Sequence, residues 1–66
     1  MTKPAPVDAE RRLLDYTRAA AYLGISVRGF KELARTGEVL KVPVGNRVLF
    51  DRVDLDSFVD RAKRLA

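Results

Sequence analysis

Arg28, Lys31 and Arg35 recur at offsets of three and four residues, with Ser26 and Gly29 beside them. Arg18, Lys41, Asn46 and Arg47 stand elsewhere in the chain. At about 100° per residue, Arg28, Lys31, Glu32 and Arg35 would share roughly a third of a helix surface. Cationic groups along one side of a rod can hold phosphate oxygens, and an arginine fork can also grip a guanine. Bond-making chemistry has far less to work with. The sequence has no histidine and no cysteine, which removes a histidine general base, a Cys/His zinc site and any disulfide. Four of the nine acids fall between Asp51 and Asp60, where metal ligation or acid catalysis could be imagined. The helix dipole explains them better, with acids near the start of a helix and Arg61, Lys63 and Arg64 near its end. No catalytic residue, metal or cofactor is expected.

Two short helices must position the cationic rod. Thr17 can cap the first, its hydroxyl accepting an otherwise unpaired backbone N–H. Ala19, Ala20, Ala21 and Leu23 make that helix small-sided, and Gly24 suits the left-handed residue just past its end. Ser26 then caps a second helix that Gly37 ends in the same way. A glycine-containing turn of a few residues between two short helices is the helix-turn-helix pattern. Val27, Phe30, Leu33 and Ala34 recur at helical spacing as a buried stripe behind the charges. Ile25 and Phe30 suit a hydrophobic staple at the helix entry. Glycine inside a helix costs about 1 kcal/mol against alanine. At Gly29 either its place near the helix start softens that cost, or another backbone comes close.

Beyond Gly37, two β-branched-rich runs, Glu38 to Val44 and Arg47 to Phe50, flank Gly45-Asn46. That pair suits a two-residue hairpin turn. Pro43 cannot donate a ladder bond, so its strand should lie at an edge. Gly45, Asn46 and Arg47 would project as a small wing, with Lys41 lower on the same hairpin. Asp51 can cap a last helix, Phe50 and Leu55 can staple it, and Leu55, Phe58, Val59, Ala62 and Leu65 follow its inner face. Leu13 and Leu14 lead into the first helix, with one of them in the core and a very short strand there.

At 66 residues the chain makes one domain with a modest core and no deep pocket. No apolar run suits a signal peptide or membrane span, and the lack of cysteine fits a reducing cytoplasm. The net charge is +4, but eight basic residues face three acids between Arg11 and Arg47. A basic face on a small domain is a common footprint of nucleic-acid binding, and equally of a solvated mixed surface. Residues 1–12, with Pro4 and Pro6, read as a flexible arm, whose Arg11 and Arg12 could reach a phosphate or a minor groove. Residues 13–66 form the folded domain. Thr17 and Arg18, at a helix N-terminus, suit a phosphate.

The run Thr17-Arg18-Ala19-Ala20-Ala21-Tyr22-Leu23-Gly24-Ile25-Ser26 resembles the T-x-x-x-A-A-x-x-L-G-[IV]-S opening of excisionase-type helix-turn-helix domains, relatives of the MerR winged helices. Ala20 and Ala21 fill the paired-alanine slot in slightly altered spacing. The likeness continues through Arg35-Thr36-Gly37-Glu38, Val44-Gly45-Asn46-Arg47 and Phe50 to Phe58, covering Leu14 to Arg61. It implies an α+β, mostly helical fold: a small winged helix-turn-helix with three helices and a β-hairpin wing. It implies an excisionase, or recombination directionality factor, of a phage or mobile element in a bacterial cytoplasm. Such a protein would bind attachment-site double-stranded DNA in several adjacent copies, bend it, and direct a partner integrase towards excision. Ser26, Arg28, Gly29, Lys31 and Arg35 would then enter the major groove, and Asn46 and Arg47 would meet the neighbouring minor groove. Two residues depart from the family pattern: Lys31 stands where many relatives carry an aromatic, and Glu32 where a basic residue is common. An acid there repels phosphate or reads a cytosine amino group. A small transcriptional regulator on promoter DNA is the alternative, since fold alone does not fix role.

Overall fold

Leu13 and Leu14 form a two-residue strand, β1, immediately before the first helix. The elements then run α1 (Tyr16–Leu23), α2 (Val27–Arg35), β2 (Val42–Val44), β3 (Arg47–Asp51) and α3 (Arg52–Leu65). The computed structural model describes residues 11–65, with side chains through Arg64. Most of the arm and the side chain of Leu65 therefore lie outside the described residues. Three helices and a three-stranded antiparallel sheet make a small α+β winged helix-turn-helix.

The first helix starts earlier than its hydroxyl signal indicates. Asp15, not Thr17, is the cap: its carboxylate accepts the Arg18 N–H at 2.8 Å, while its own backbone is extended. Thr17 is exposed within the first turn. Because β1 ends at Leu14, Asp15 is the first residue able to leave the ladder, and aspartate caps better than threonine. Gly24, at φ 76°, ends α1, with Gly24 and Ile25 N–H groups donating back to Ala21 and Ala20. Ser26 caps α2, its Oγ accepting the Gly29 N–H at 3.0 Å. Gly37, at φ 84°, closes α2 through the same pair of backward bonds, to Ala34 and, from Glu38, to Leu33. These doubled bonds satisfy carbonyls that a helix end would otherwise leave open.

β3 is the central strand, in the order β1-β3-β2. Leu14 faces Phe50 on one side, and Val42, Pro43 and Val44 face Leu49, Val48 and Arg47 on the other. Pro43 does sit on an edge strand. The first arm of the hairpin is shorter than its apolar run, because Val39 leaves the path of the sheet and is buried in the core.

The core comprises Leu14, Ala19, Ala20, Phe30, Ala34, Val39, Phe50 and Leu55. Its centre is a triangle of rings: Phe30–Phe50 centroids at 4.7 Å, Tyr16–Phe50 at 4.9 Å and Tyr16–Phe30 at 6.1 Å, all edge-to-face. Edge-to-face rings place a positive edge on a negative face. One ring comes from each of α1, α2 and β3, so the helix pair and the hairpin are fixed to each other through this contact. Leu55 and Phe58 bring α3 onto the same centre, but Ala62 is exposed. The last turns of α3 run past the small body they pack on. Asp51 caps α3 through the Val53 N–H at 3.0 Å and receives the Arg12 guanidinium on both oxygens. Arg12 is thus held against the start of α3.

Candidate nucleic-acid interface

The back of α2 is anchored and its front is open. Phe30 and Ala34 are buried, and Val27 and Leu33 pack partly buried against the core. Arg28, Lys31, Glu32 and Arg35 are exposed. Arg28, Lys31 and Arg35 follow one another at one-turn intervals, so three cations form a line along the outer surface. Gly29 lies beside that line. A Cβ there would meet Ser26 Oγ at 3.2 Å and no neighbouring backbone within 4 Å, so the residue leaves room for the cap and no close backbone approach is seen among the described residues.

One contact carries this line towards α1, and a second cluster continues the surface from there. Lys31 Nζ stands 5.8 Å from the Tyr16 ring centroid, within the range of a cation–π attraction. Next to Tyr16, Asp15 gathers two arginines on one oxygen. Arg18 Nη1 lies 2.9 Å and Arg47 Nη2 3.8 Å from Asp15 Oδ2. The start of α1, the middle of α2 and the turn end of the wing, where Arg47 faces Val44, are therefore neighbours, and Arg18, Lys31 and Arg47 belong to one surface. The Arg18 N–H bond holds the Asp15 carboxyl below its ordinary 3.8; burial opposes this, and the Arg18 and Arg47 charges add to it.

A lowered folded-state value means that Asp15 stabilises the fold above the ordinary value and loses that contribution as pH falls through the folded one. Asp15→Ala should cost about 1 kcal/mol, the usual worth of a helix cap. Asp15→Asn should keep the cap near neutral pH and remove this residue's share of the acid sensitivity. Urea melts near neutral pH and below 3.8 would check both.

At this end of the hairpin, Gly45 has φ 61° and no other residue between the strands has positive φ. That is the type II′ arrangement, whose twist suits a two-residue hairpin. Asn46 and Arg47 are exposed at this tip. Lys41 is also exposed, but it precedes β2 at the end of the hairpin away from the turn.

Glu32 engages Arg35. Arg35 Nε donates to Oε1 at 3.1 Å, and Nη2 pairs with Oε2. The Arg35 hydrogen bond lowers the Glu32 pKa, and the same bond raises that of Arg35. Asp15, Tyr16 and this Glu32–Arg35 pairing are the parts of the surface that sequence reasoning passed over. The signals were present: Asp15 three residues before Arg18, Tyr16 ahead of the alanines, and Glu32 three before Arg35. Charge count alone hid them, since each removes or orients a cation rather than adding one.

Among the described residues, no group of three or more His, Cys, Asp or Glu side chains could hold a metal ion. Among the described residues, no helix is long and apolar enough to cross a membrane. A family model described as a helix-turn-helix domain matches residues 13–63. No curated protein and no solved structure matches the chain.

Proposed function

The chain belongs to the helix-turn-helix domain family, a family of DNA-binding rather than catalytic domains, and we propose, on the likeness of Thr17 to Ser26 to the opening of excisionase-type domains, that it is an excisionase. It binds attachment-site DNA in adjacent copies, bends it, and directs an integrase of a phage or mobile element towards excision. Residues 13–66 act as the winged domain and residues 1–12 as an arm. The supporting observation is the continuous cationic surface from Arg28, Lys31 and Arg35 through Tyr16 to the Asp15-bound Arg18 and Arg47.

In this reading α2 enters the major groove, with Ser26, Arg28, Gly29, Lys31 and Arg35 nearest the bases and phosphates. Thr17 and Arg18 hold a phosphate at the start of α1. Asn46 and Arg47 meet the adjacent minor groove, and Lys41 adds a backbone contact. Bending a short site costs of order 1–6 kcal/mol. One small domain offers limited contact area, so neighbouring copies and the integrase must offset the bend.

Arg47→Ala should weaken binding to every duplex by a similar factor and reduce the salt slope by about one. Gel shifts on several unrelated duplexes would check this. A loss confined to one base position would instead mark Arg47 as a reader of the groove. The role itself is tested by a gel shift and an excision assay with the element's attachment region and integrase. An excisionase retards that fragment and stimulates excision. Retardation of promoter DNA alone, without stimulation, would identify a transcriptional regulator.

A further inference from the structure

Glu32 is an acid within the cationic line of α2, and repulsion from phosphate makes it a poor choice for mere affinity. As an ion pair it contributes little to the fold: its side chain is 59% exposed and that of Arg35 is 70% exposed, and such pairs are worth little in water. Its geometry is informative. The carboxylate occupies the Nε and Nη2 side of the guanidinium. An arginine has five N–H donors in a planar fork, so the Nη1/Nη2 end keeps two parallel N–H groups for a second partner. That end matches the O6 and N7 acceptors of guanine in the major groove.

We infer that Glu32 is a specificity-determining residue that acts through Arg35, holding the guanidinium edge so that its far end is presented to a guanine. The inference rests on the DNA-binding reading and deepens it. With Glu32 in place, Arg35 meets a guanine without first losing the freedom of its long side chain. To reach a phosphate elsewhere it must break two charge-assisted bonds, and the acid repels that phosphate. Both effects favour the matching sequence over all others.

The test uses the full chain. A preferred duplex is first selected from a random-sequence library with the unaltered protein. Affinities are then measured by fluorescence anisotropy for that duplex and for a scrambled duplex of equal length. E32Q should lower the selected-to-scrambled ratio by at least about fivefold, the lower end of what a bidentate guanine contact discriminates. Affinity for the scrambled duplex should hold or rise, because one repelling charge is gone. R35K keeps the charge but loses the fork, and should lower the ratio at the same G·C pair. The double variant E32Q/R35K should be no worse than R35K alone, since coupled residues are not additive. Unchanged circular dichroism in each variant separates this from misfolding.

Three results would overturn the inference: an unchanged ratio in E32Q, additive losses in the double variant, or an E32Q loss at a pair that R35K leaves untouched. A protein that binds neither duplex at low salt would overturn the DNA-binding reading, and the inference with it.

Discussion

Phe30→Ala should leave most of the chain unfolded at room temperature. Phe30 is fully buried and touches both other rings of the core triangle. Truncating a buried phenylalanine costs about 3–5 kcal/mol, the lost transfer energy plus the cavity left behind. A single core in a chain below about 70–80 residues rarely supplies more than that in total. The loss is concentrated, because Phe30 is the side chain through which α2 meets both α1 and the hairpin. Circular dichroism on heating should show a weak, non-cooperative signal in place of a sigmoidal melt. A cooperative melt within a few degrees of the unaltered protein would show that the ring triangle is not the centre of the fold.

Arg28→Ala should leave the fold intact and weaken binding to the preferred duplex by about 1–3 kcal/mol, the worth of a bidentate guanine contact. Arg28 is exposed in the first turn of α2. There the positive end of the helix dipole mildly disfavours a cation, so its removal costs the helix nothing. Anisotropy on the selected duplex and on single-base variants of it should show a loss and a relaxed preference at one G·C pair. Unchanged affinity for every duplex would remove Arg28 from the interface.

Much of this architecture was legible in the residues. Gly24, Gly37 and Gly45 each stand where the chain turns left-handed, and Ser26 caps the helix it was expected to cap. The buried stripe of Val27, Phe30, Leu33 and Ala34 followed from spacing alone. These features are local, settled within one or two turns. The cap of α1 was misread because Asp15 and Thr17 compete two residues apart, and only the end of β1 decides between them. Val39 and Ala62 depended on where the body of the molecule lies, which periodicity does not report. The Arg12–Asp51 clamp joins residues 39 apart in sequence, and no local pattern reveals it. The surface was legible as a set of charges but not as a set of contacts. Spacing placed Arg28, Lys31 and Arg35 on one line, whereas the convergence of Arg18 and Arg47 on Asp15 required the hairpin to fold back onto α1.

The central claim is that the outer line of α2 binds a duplex, and the salt dependence of binding tests it most directly. Affinity for a labelled duplex is measured by anisotropy between about 50 and about 200 mM salt, for the unaltered protein and for Arg28→Gln/Lys31→Gln/Arg35→Gln. Each phosphate neutralised contributes roughly −0.9 to the slope of log affinity against log salt. The unaltered protein should show a steep linear fall; the triple variant should bind more weakly at every salt concentration and lose about one unit of that slope, the share of Lys31, because Arg28 and Arg35 meet bases rather than phosphates. Equal slopes in the two proteins, or no salt-dependent binding by either, would contradict the account.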